Sequence, residues 1–339
     1  MLTDLVRELP SYAGLLEAVR GGEDRLVVSG GVGALPAVIL AALSRDLSRS
    51  IAVVVASEKD AARLTGDLAA AGLTRVFHAP APTLTPYQRI PASLKSRRDE
   101  FALLAALSER GRPAAAVLPA RSLFTRMPDP ARVSGLFVRI RRGDEISLSS
   151  LAARLTRVGY RRGDLVIETG DLAVRGGLVD VFPPDRELAV RIELDGDRVD
   201  SIRLFDPDTQ RTQEKIEEVA LAPFAASEES EEARRLMTER IGRPPSEAER
   251  DVFAPAVSAM PASWLDHAGD ALVVVEEPAQ VEEELSVFEE RVAEDRDLDR
   301  DAFAPEELVH PASRIRERLA AARVVFDRLG VDTGGAAGR

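Results

Sequence analysis

An unbroken apolar run, Ile51–Ala56 (IAVVVA), predicts a strand covered on both faces. Leu26–Ser29, Arg75–His78 and Ala114–Leu118 are shorter runs of the same kind. Between them lie segments with helical spacing. Ala34–Leu43 carries Pro36 in its first turn, where a missing N–H costs little. Ser57-Glu58-Lys59-Asp60 opens a second helix with a capping hydroxyl and an acidic first turn. Arg98–Glu109 is amphipathic. Strands alternating with helices predict a parallel sheet covered by helices on both sides. Pro80, Pro82, Pro86 and Pro91 make the stretch before Arg98 an irregular loop.

The pattern changes near Pro128-Asp129-Pro130. One helix, Ser149–Val158, is followed by short alternating strands at Asp164–Glu168, Leu172–Val174, Leu178–Phe182, Ala189–Leu194 and Arg198–Phe205. Asp195-Gly196-Asp197 between the last two reads as a hairpin turn. This predicts a small, mostly antiparallel α+β unit. From residue 212 the style returns to α/β: a strand at Lys215–Leu221, helices at Glu231–Ile241 and Glu247–Met260, a buried strand at Ala271–Val275 and an acidic helix at Gln280–Glu294. The expected division is 1–130, 131–211 and 212–330, with 331–339 a flexible Gly/Ala-rich tail.

Composition narrows the options. With 339 residues, two or three domains are expected, and 45% apolar residues suffice for packed cores. The absence of cysteine excludes disulfides, Cys-ligated zinc and thiol catalysis. No apolar run is long enough to span a membrane, and MLTDLVRELP has no signal-peptide pattern, so a cytoplasmic protein is expected. The net charge of −12 is unevenly spread, with +3 on residues 1–131, 0 on 132–211 and −15 on 212–330. The last segment repels nucleic acid. The run Glu282–Glu290 reads as a solvated helix face.

The turn VVSGGVGALPA joins the first strand to the first helix, where nucleotide-binding proteins cradle phosphates. A phosphate loop ends Gly-Lys-Ser/Thr, the lysine neutralising charge and the hydroxyl holding Mg²⁺. With Gly33 as the second glycine, those two positions are Ala34 and Leu35, so ATP hydrolysis is not expected. Gly30 and Gly31 belong to the same turn. A dinucleotide fingerprint matches at Gly31 and Gly33, with Glu58 as ribose ligand, but Pro36 stands in the third glycine position. A bare turn with no ligand is the third reading. Val273-Val274-Val275-Glu276-Glu277-Pro278 ends a strand where nucleotide hydrolases place Asp-Glu. His78, His267 and His310 lack metal-ligand spacing, and Trp264 reads as core.

Leu84-Thr85-Pro86-Tyr87…Arg98, and Gly159-Tyr160-Arg161-Arg162 followed by Gly170…Arg175-Gly176-Gly177-Leu178-Val179-Asp180-Val181-Phe182-Pro183, resemble the L-P-Y segment and the G-Y-x-R…R-G-G-I-x-D-V-F-P block of bacterial transcription-repair coupling factors. Arg191-Ile192-Glu193…Thr209-Gln210-Arg211-Thr212 and Trp264-Leu265-Asp266…Glu276-Glu277-Pro278 match later blocks, so the resemblance covers roughly residues 25 to 290.

That family's N-terminal third is similar to UvrB. The resemblance implies a degenerate P-loop-type parallel α/β domain with an inserted small α+β domain. It implies a relic nucleotide site at Gly30, Gly31, Gly33, Ala34, Leu35, Glu276 and Glu277, and no cofactor in this chain. The Pro80–Arg98 region is too short for UvrB's DNA-clamping hairpin. The implied function is an adaptor recruiting UvrA in nucleotide excision repair, its contacts on the small domain at Arg175, Arg161 and Leu178. Arginine suits such an interface because it pairs bidentately with carboxylates and buries its stem. A tie between Arg175 and Asp180 within the sheet is the other reading of that arginine, and Ala173 stands where UvrB has a second basic residue. In the family, ATP and Mg²⁺, DNA translocation and RNA polymerase contact belong to domains C-terminal to this segment. Two alternatives stay open: an ATP-dependent helicase fragment that still binds nucleotide, and a dinucleotide-binding enzyme.

Overall fold

The computed structural model describes residues 2–23, 25–109, 111–225, 231–298 and 303–327, so the expected tail at 331–339 lies outside the described residues. Four strands come first: β1 (Leu26–Ser29), β2 (Ile51–Val55), β3 (Val76–His78) and β4 (Ala115–Pro119). Eight follow in the middle: β5 (Val138–Arg141), β6 (Arg161–Gly163), β7 (Asp171–Arg175), β8 (Leu178–Val181), β9 (Ala189–Asp195), β10 (Arg198–Phe205), β11 (Thr212–Ile216) and β12 (Glu218–Leu221). The last two are β13 (Leu272–Glu276) and β14 (Val324–Asp327).

β1–β4 pair with β13 and β14 in one sheet of order β1-β14-β13-β2-β4-β3, parallel throughout. The middle strands are therefore an insertion between two parts of one α/β domain. Every residue of β2 and β4 is buried, as the unbroken apolar runs require. The helix Glu58–Ala70 starts where the capping hydroxyl predicts, Ser57 Oγ accepting from the Asp60 amide at 3.2 Å. One apolar cluster lies between this sheet and the helices Leu35–Leu47 and Glu58–Ala70. The other runs from its opposite face into the small domain.

The small domain has a six-stranded sheet, β11-β10-β9-β8-β7-β6, and a two-stranded ribbon, β12-β5. The hairpin at Asp195-Gly196-Asp197 joins β9 to β10 as expected. Alternation gives the sheet two different faces. Leu172, Val179, Val181, Val190, Ile192 and Ile202 pack into the main core with Leu151 and Leu155 of the helix Leu148–Arg157. The residues between them, Arg175, Leu178, Asp180, Arg191, Glu193 and Arg203, occupy the other face.

Three expected elements differ and one strand is new. Asp164–Glu168 is not a strand, because the amides of Ile167 and Glu168 donate to the Asp171 carboxylate instead of a ladder. The expected strand Lys215–Leu221 is two strands broken at Glu217. β11 pairs with β10 and β12 with β5, so the pairing of the small domain continues past residue 211. The expected helix Glu247–Met260 breaks at Phe253 into Glu247–Val252 and Ala254–Val257, with Pro255 in the first turn of the second piece. β14 was not anticipated, and it fills the slot between β1 and β13.

Candidate functional site

Two places carry the residues the sequence singles out. The first is the carboxyl edge of the parallel sheet. Gly30 and Gly33 bend the chain after β1 with φ of 76° and 63°, a conformation that suits glycine. The helix Leu35–Leu47 follows, its N-cap Ala34 offering no side-chain bond. A side chain at Gly31 would meet Pro36 Cγ at 3.3 Å, so the turn rests on its own helix. Val32 and Leu35 are exposed, and the positions of a loop lysine and hydroxyl hold only aliphatic groups.

Glu276 ends β13, separated from β1 by β14, so the two ends lie about 10 Å apart on the same edge. Glu276 is buried, and its Oε1 is 2.7 Å from the Arg63 guanidinium. Glu277 has φ 54° and its amide donates to the Phe326 carbonyl at 2.8 Å. Glu58 accepts the Ala81 amide at 2.8 Å and meets His78 Nε2 at 2.5 Å. β2, which precedes it, lies three strands from β1, about 14 Å. A dinucleotide fold places the glycine strand and the acid strand side by side. The structure does not bring Gly31, Gly33 and Glu58 together in that way.

The second place is the charged face of the small sheet. It grades from apolar to open along the strands. At one end Val166, Ala173, Phe182, Ala189 and Phe205 form a small buried cluster. In the middle Asp180, 2% exposed, takes two bonds from Arg191: Nε to Oδ1 at 2.7 Å and Nη2 to Oδ2 at 2.8 Å. The Arg191 guanidinium lies 4.5 Å from the centre of the Phe205 ring. The hydrogen bonds that Arg191 donates to the Asp180 carboxylate raise its pKa above the ordinary value.

At the open end Arg175, its side chain 51% exposed, reaches Asp180 Oδ2 with a single Nη2 contact of 3.3 Å. Leu178 sits opposite Arg175 on β8 and opposite Glu193 on β9, and it is half-buried. Glu193 in turn pairs with Arg203 at 2.7 Å and accepts from Ser201 Oγ. The Gly176-Gly177 turn fixes this end. A Cβ on Gly177 would lie 2.7 Å from the Leu194 carbonyl oxygen, so only glycine lets β8 start there.

Arg161 stands on β6 across from Asp171, bonded to it at 3.2 Å and 3.6 Å from Glu168. It shares the face but sits at the other end of β7 from Arg175, about 13 Å away. The structure therefore brings Leu178 to Arg175 and leaves Arg161 apart. Sequence reasoning did not single out Glu193 and Arg203. The signal was present, since alternation in Ala189–Leu194 puts Arg191 and Glu193 on one face and hairpin pairing delivers them beside β8.

The histidines do structural work. His267 Nε2 lies 2.9 Å from the Pro128 carbonyl and His310 Nε2 2.9 Å from that of Ala262, both buried, with burial lowering both pKa values. Among the described residues no cluster of His, Asp and Glu has the arrangement of a metal site.

Residues 138–226, which carry the small sheet and its helix, match the family model of the UvrB interaction domain. The chain is 32% identical to the transcription-repair-coupling factor of Myxococcus xanthus over 247 residues, 69% of this chain and 20% of that protein. It is 29% identical to the Escherichia coli transcription-repair-coupling factor over 211 residues, 60% of this chain and 18% of that one. Against UvrABC system protein B of Ralstonia nicotianae it is 42% identical over 89 residues, 26% of this chain and 13% of that one. The similarity to the UvrB interaction domain is thus confined to residues 138–226, while that to transcription-repair-coupling factors extends over most of the chain. It spans about a fifth of the length of those relatives.

Proposed function

We propose that this chain is an adaptor of transcription-coupled nucleotide excision repair that binds UvrA through the open end of the small sheet. The observation that carries this reading is the Arg175–Leu178 pair. It presents a half-free guanidinium and an apolar side chain together, inside the segment matched by the UvrB interaction domain. Arg175 spends one weak contact on Asp180, whose two strong bonds come from Arg191, and its side chain is half-exposed, which leaves donors for a partner carboxylate. Arg161 is a secondary contact, its charge shared with Asp171 and Glu168.

The adaptor works without hydrolysing ATP. What supports this is the aliphatic pair Ala34 and Leu35 where a phosphate loop needs Lys and Ser/Thr, and a strand-end carboxylate, Glu276, already neutralised by Arg63. No helix among the described residues is long and apolar enough to cross a membrane, in keeping with a cytoplasmic role. ATP-driven DNA translocation and RNA polymerase contact belong, on this reading, to regions of the relatives that the chain does not span.

The test is a titration of UvrA with the chain and with Arg175→Ala. Loss of an interfacial arginine should weaken binding by about 2 kcal/mol, near thirtyfold. Tight binding indifferent to Arg175→Ala would move the site elsewhere, and no binding by the unaltered chain would overturn the adaptor reading. A thermal shift with Mg-ATP should be absent, and a rise in melting temperature would restore the nucleotide-binding alternative.

A further inference from the structure

The zero net charge of residues 132–211 conceals a division. Residues 132–162 carry eight arginines and two carboxylates, whereas residues 163–211 carry six arginines and twelve carboxylates. The fold largely separates the two halves, apart from Arg161, which pairs with Asp171 and Glu168, and Arg142, which bonds the Asp200 carbonyl. The acidic half supplies β7–β10, whose Asp171, Asp180 and Glu193 are taken up by ion pairs on the sheet face described above. The basic half supplies the helix Leu148–Arg157, which covers the opposite face of the sheet, and the strands flanking it.

Three of the eight arginines are paired with carboxylates: Arg141 with Glu218, Arg142 with Glu217 and Arg161 with Asp171. Arg154, Arg157, Arg162 and Arg139 are exposed, and no carboxylate lies within 4.0 Å of them among the described residues. These four form one band. Arg154 and Arg157 lie on the outward side of the helix. Arg162 shares a shallow depression with Ser149, Ala153 and Thr156 of that helix. On the other flank Arg154 donates to the Phe137 carbonyl at 3.3 Å, two residues before Arg139. The helix itself, LSSLAARLTR, contains no acid, and its outward side shows serine, threonine and alanine between the arginines.

We infer that this band binds the phosphodiester backbone of duplex DNA. Its chemistry favours phosphates over a protein surface. The cations are all arginine, which forks onto phosphate oxygens, and small hydroxyl side chains separate them. The outward face offers no aromatic or large aliphatic anchor of the sort that carries protein–protein affinity. It lies on the side of the sheet away from Arg175, so duplex and UvrA would not compete for it. The inference stands independently of the UvrA reading.

The experiment is fluorescence anisotropy of a labelled duplex of about 20 base pairs with the full chain, across about 50 to 200 mM salt. Four neutralised phosphates predict weak binding at low salt, lost about a hundredfold over that range, a slope near −3.6 in log K against log salt. The triple variant Arg154→Ala/Arg157→Ala/Arg162→Ala should reduce the slope to about −1. Removing three exposed side chains should leave the melting temperature unchanged, and melting both proteins checks that. The pair Lys59→Ala/Arg98→Ala, which takes charge from exposed positions of the α/β domain, should retain the full slope. Failure to bind duplex at low salt, or equal binding by the triple variant, would overturn the inference. So would capture of polyglutamate in place of duplex, which would reassign the band to an acidic protein surface.

Discussion

Arg175 is either a tie within the sheet or a group held out for a partner, and stability measurements separate the two. Asp180 is 2% exposed and has two guanidinium neighbours of unequal quality. Arg191 meets both carboxylate oxygens, at 2.7 and 2.8 Å, is itself only 18% exposed and stacks on Phe205. Hydrogen bonds to charged groups contribute about 1.5–3 kcal/mol each, and breaking a buried pair costs about 3–5 kcal/mol. Arg191→Met keeps most of the stem over Phe205 but strands the carboxylate with Arg175 alone, so it should cost about 3 kcal/mol. Arg175 makes one contact at 3.3 Å from a side chain 51% in water, and Arg175→Ala should cost less than about 1 kcal/mol.

Bulk unfolding of a chain with more than one folded unit blends transitions, so the cleaner assay is native-state amide exchange at Val179 and Val181 of β8 and Ile192 of β9. The expected order is Arg191→Met far below the unaltered chain and Arg175→Ala beside it. If Arg175→Ala lowers the local opening free energy as much as Arg191→Met, Arg175 is a structural tie. Any loss of UvrA binding in that variant would then report a distorted sheet.

Burial first, and then the charge of Asp251, raises the Glu100 carboxyl to about 7, above an ordinary value of 4.5. The folded state therefore favours the protonated form, and stability declines as pH rises from 4.5 to 7. Allowing for its partial exposure, Glu100→Gln should stabilise the chain at pH 8 by about 1–2 kcal/mol, read from denaturant midpoints. Glu249 is shifted the other way, to about 2, by the paired bonds from Arg243 at 2.7 and 2.8 Å, helped by Ser246. Its contribution is present above pH 4.5 and lost as pH falls toward 2, so Glu249→Gln should flatten that limb of the stability curve. As pH falls below 6.5, His267 and His310, whose buried rings resist protonation, take stability away; His310→Gln should shrink the slope there, and an unchanged slope would exclude that histidine. Gly177→Ala must push a methyl against the Leu194 carbonyl and should cost about 1–3 kcal/mol while displacing Leu178.

The frame was legible because burial on both faces writes itself into sequence as unbroken apolar runs, and β2, β4 and β13 are of that kind. β14 escaped because its apolar run is only Val324-Val325-Phe326, too short to tell strand from loop until its neighbours are known. Asp164–Glu168 holds a short apolar run, Leu165-Val166-Ile167, but is not a strand, since the Asp171 side chain takes up the amides of Ile167 and Glu168 locally. The candidate residues Arg175, Leu178 and Arg161 could be named from motif blocks, but their spacing could not. That Arg161 lies a strand's length from Arg175 follows only from the parallel pairing of β6 with β7, which nothing in Arg161-Arg162-Gly163 announces.

Acidic residues of the third segment have duties that composition does not display. Asp251 accepts from Arg97 at 2.7 Å and from the Ala92 amide, Asp295 from Gln88 at 3.0 Å, and Glu249 meets Arg89 at 3.2 Å. All four donors belong to the proline-rich loop and the start of the helix after it. The excess negative charge is therefore partly a set of staples that holds an irregular loop against helices far away in sequence. At the other edge of the same domain Arg63 performs the converse task, a cation holding Glu276 at a strand end. A metal ion bound by that carboxylate would first have to displace a guanidinium 2.7 Å away. In both arrangements charges from distant parts of the chain satisfy one another. On the charged face of the small sheet, by contrast, the Arg175 guanidinium is left half-exposed at the open end beside an apolar residue.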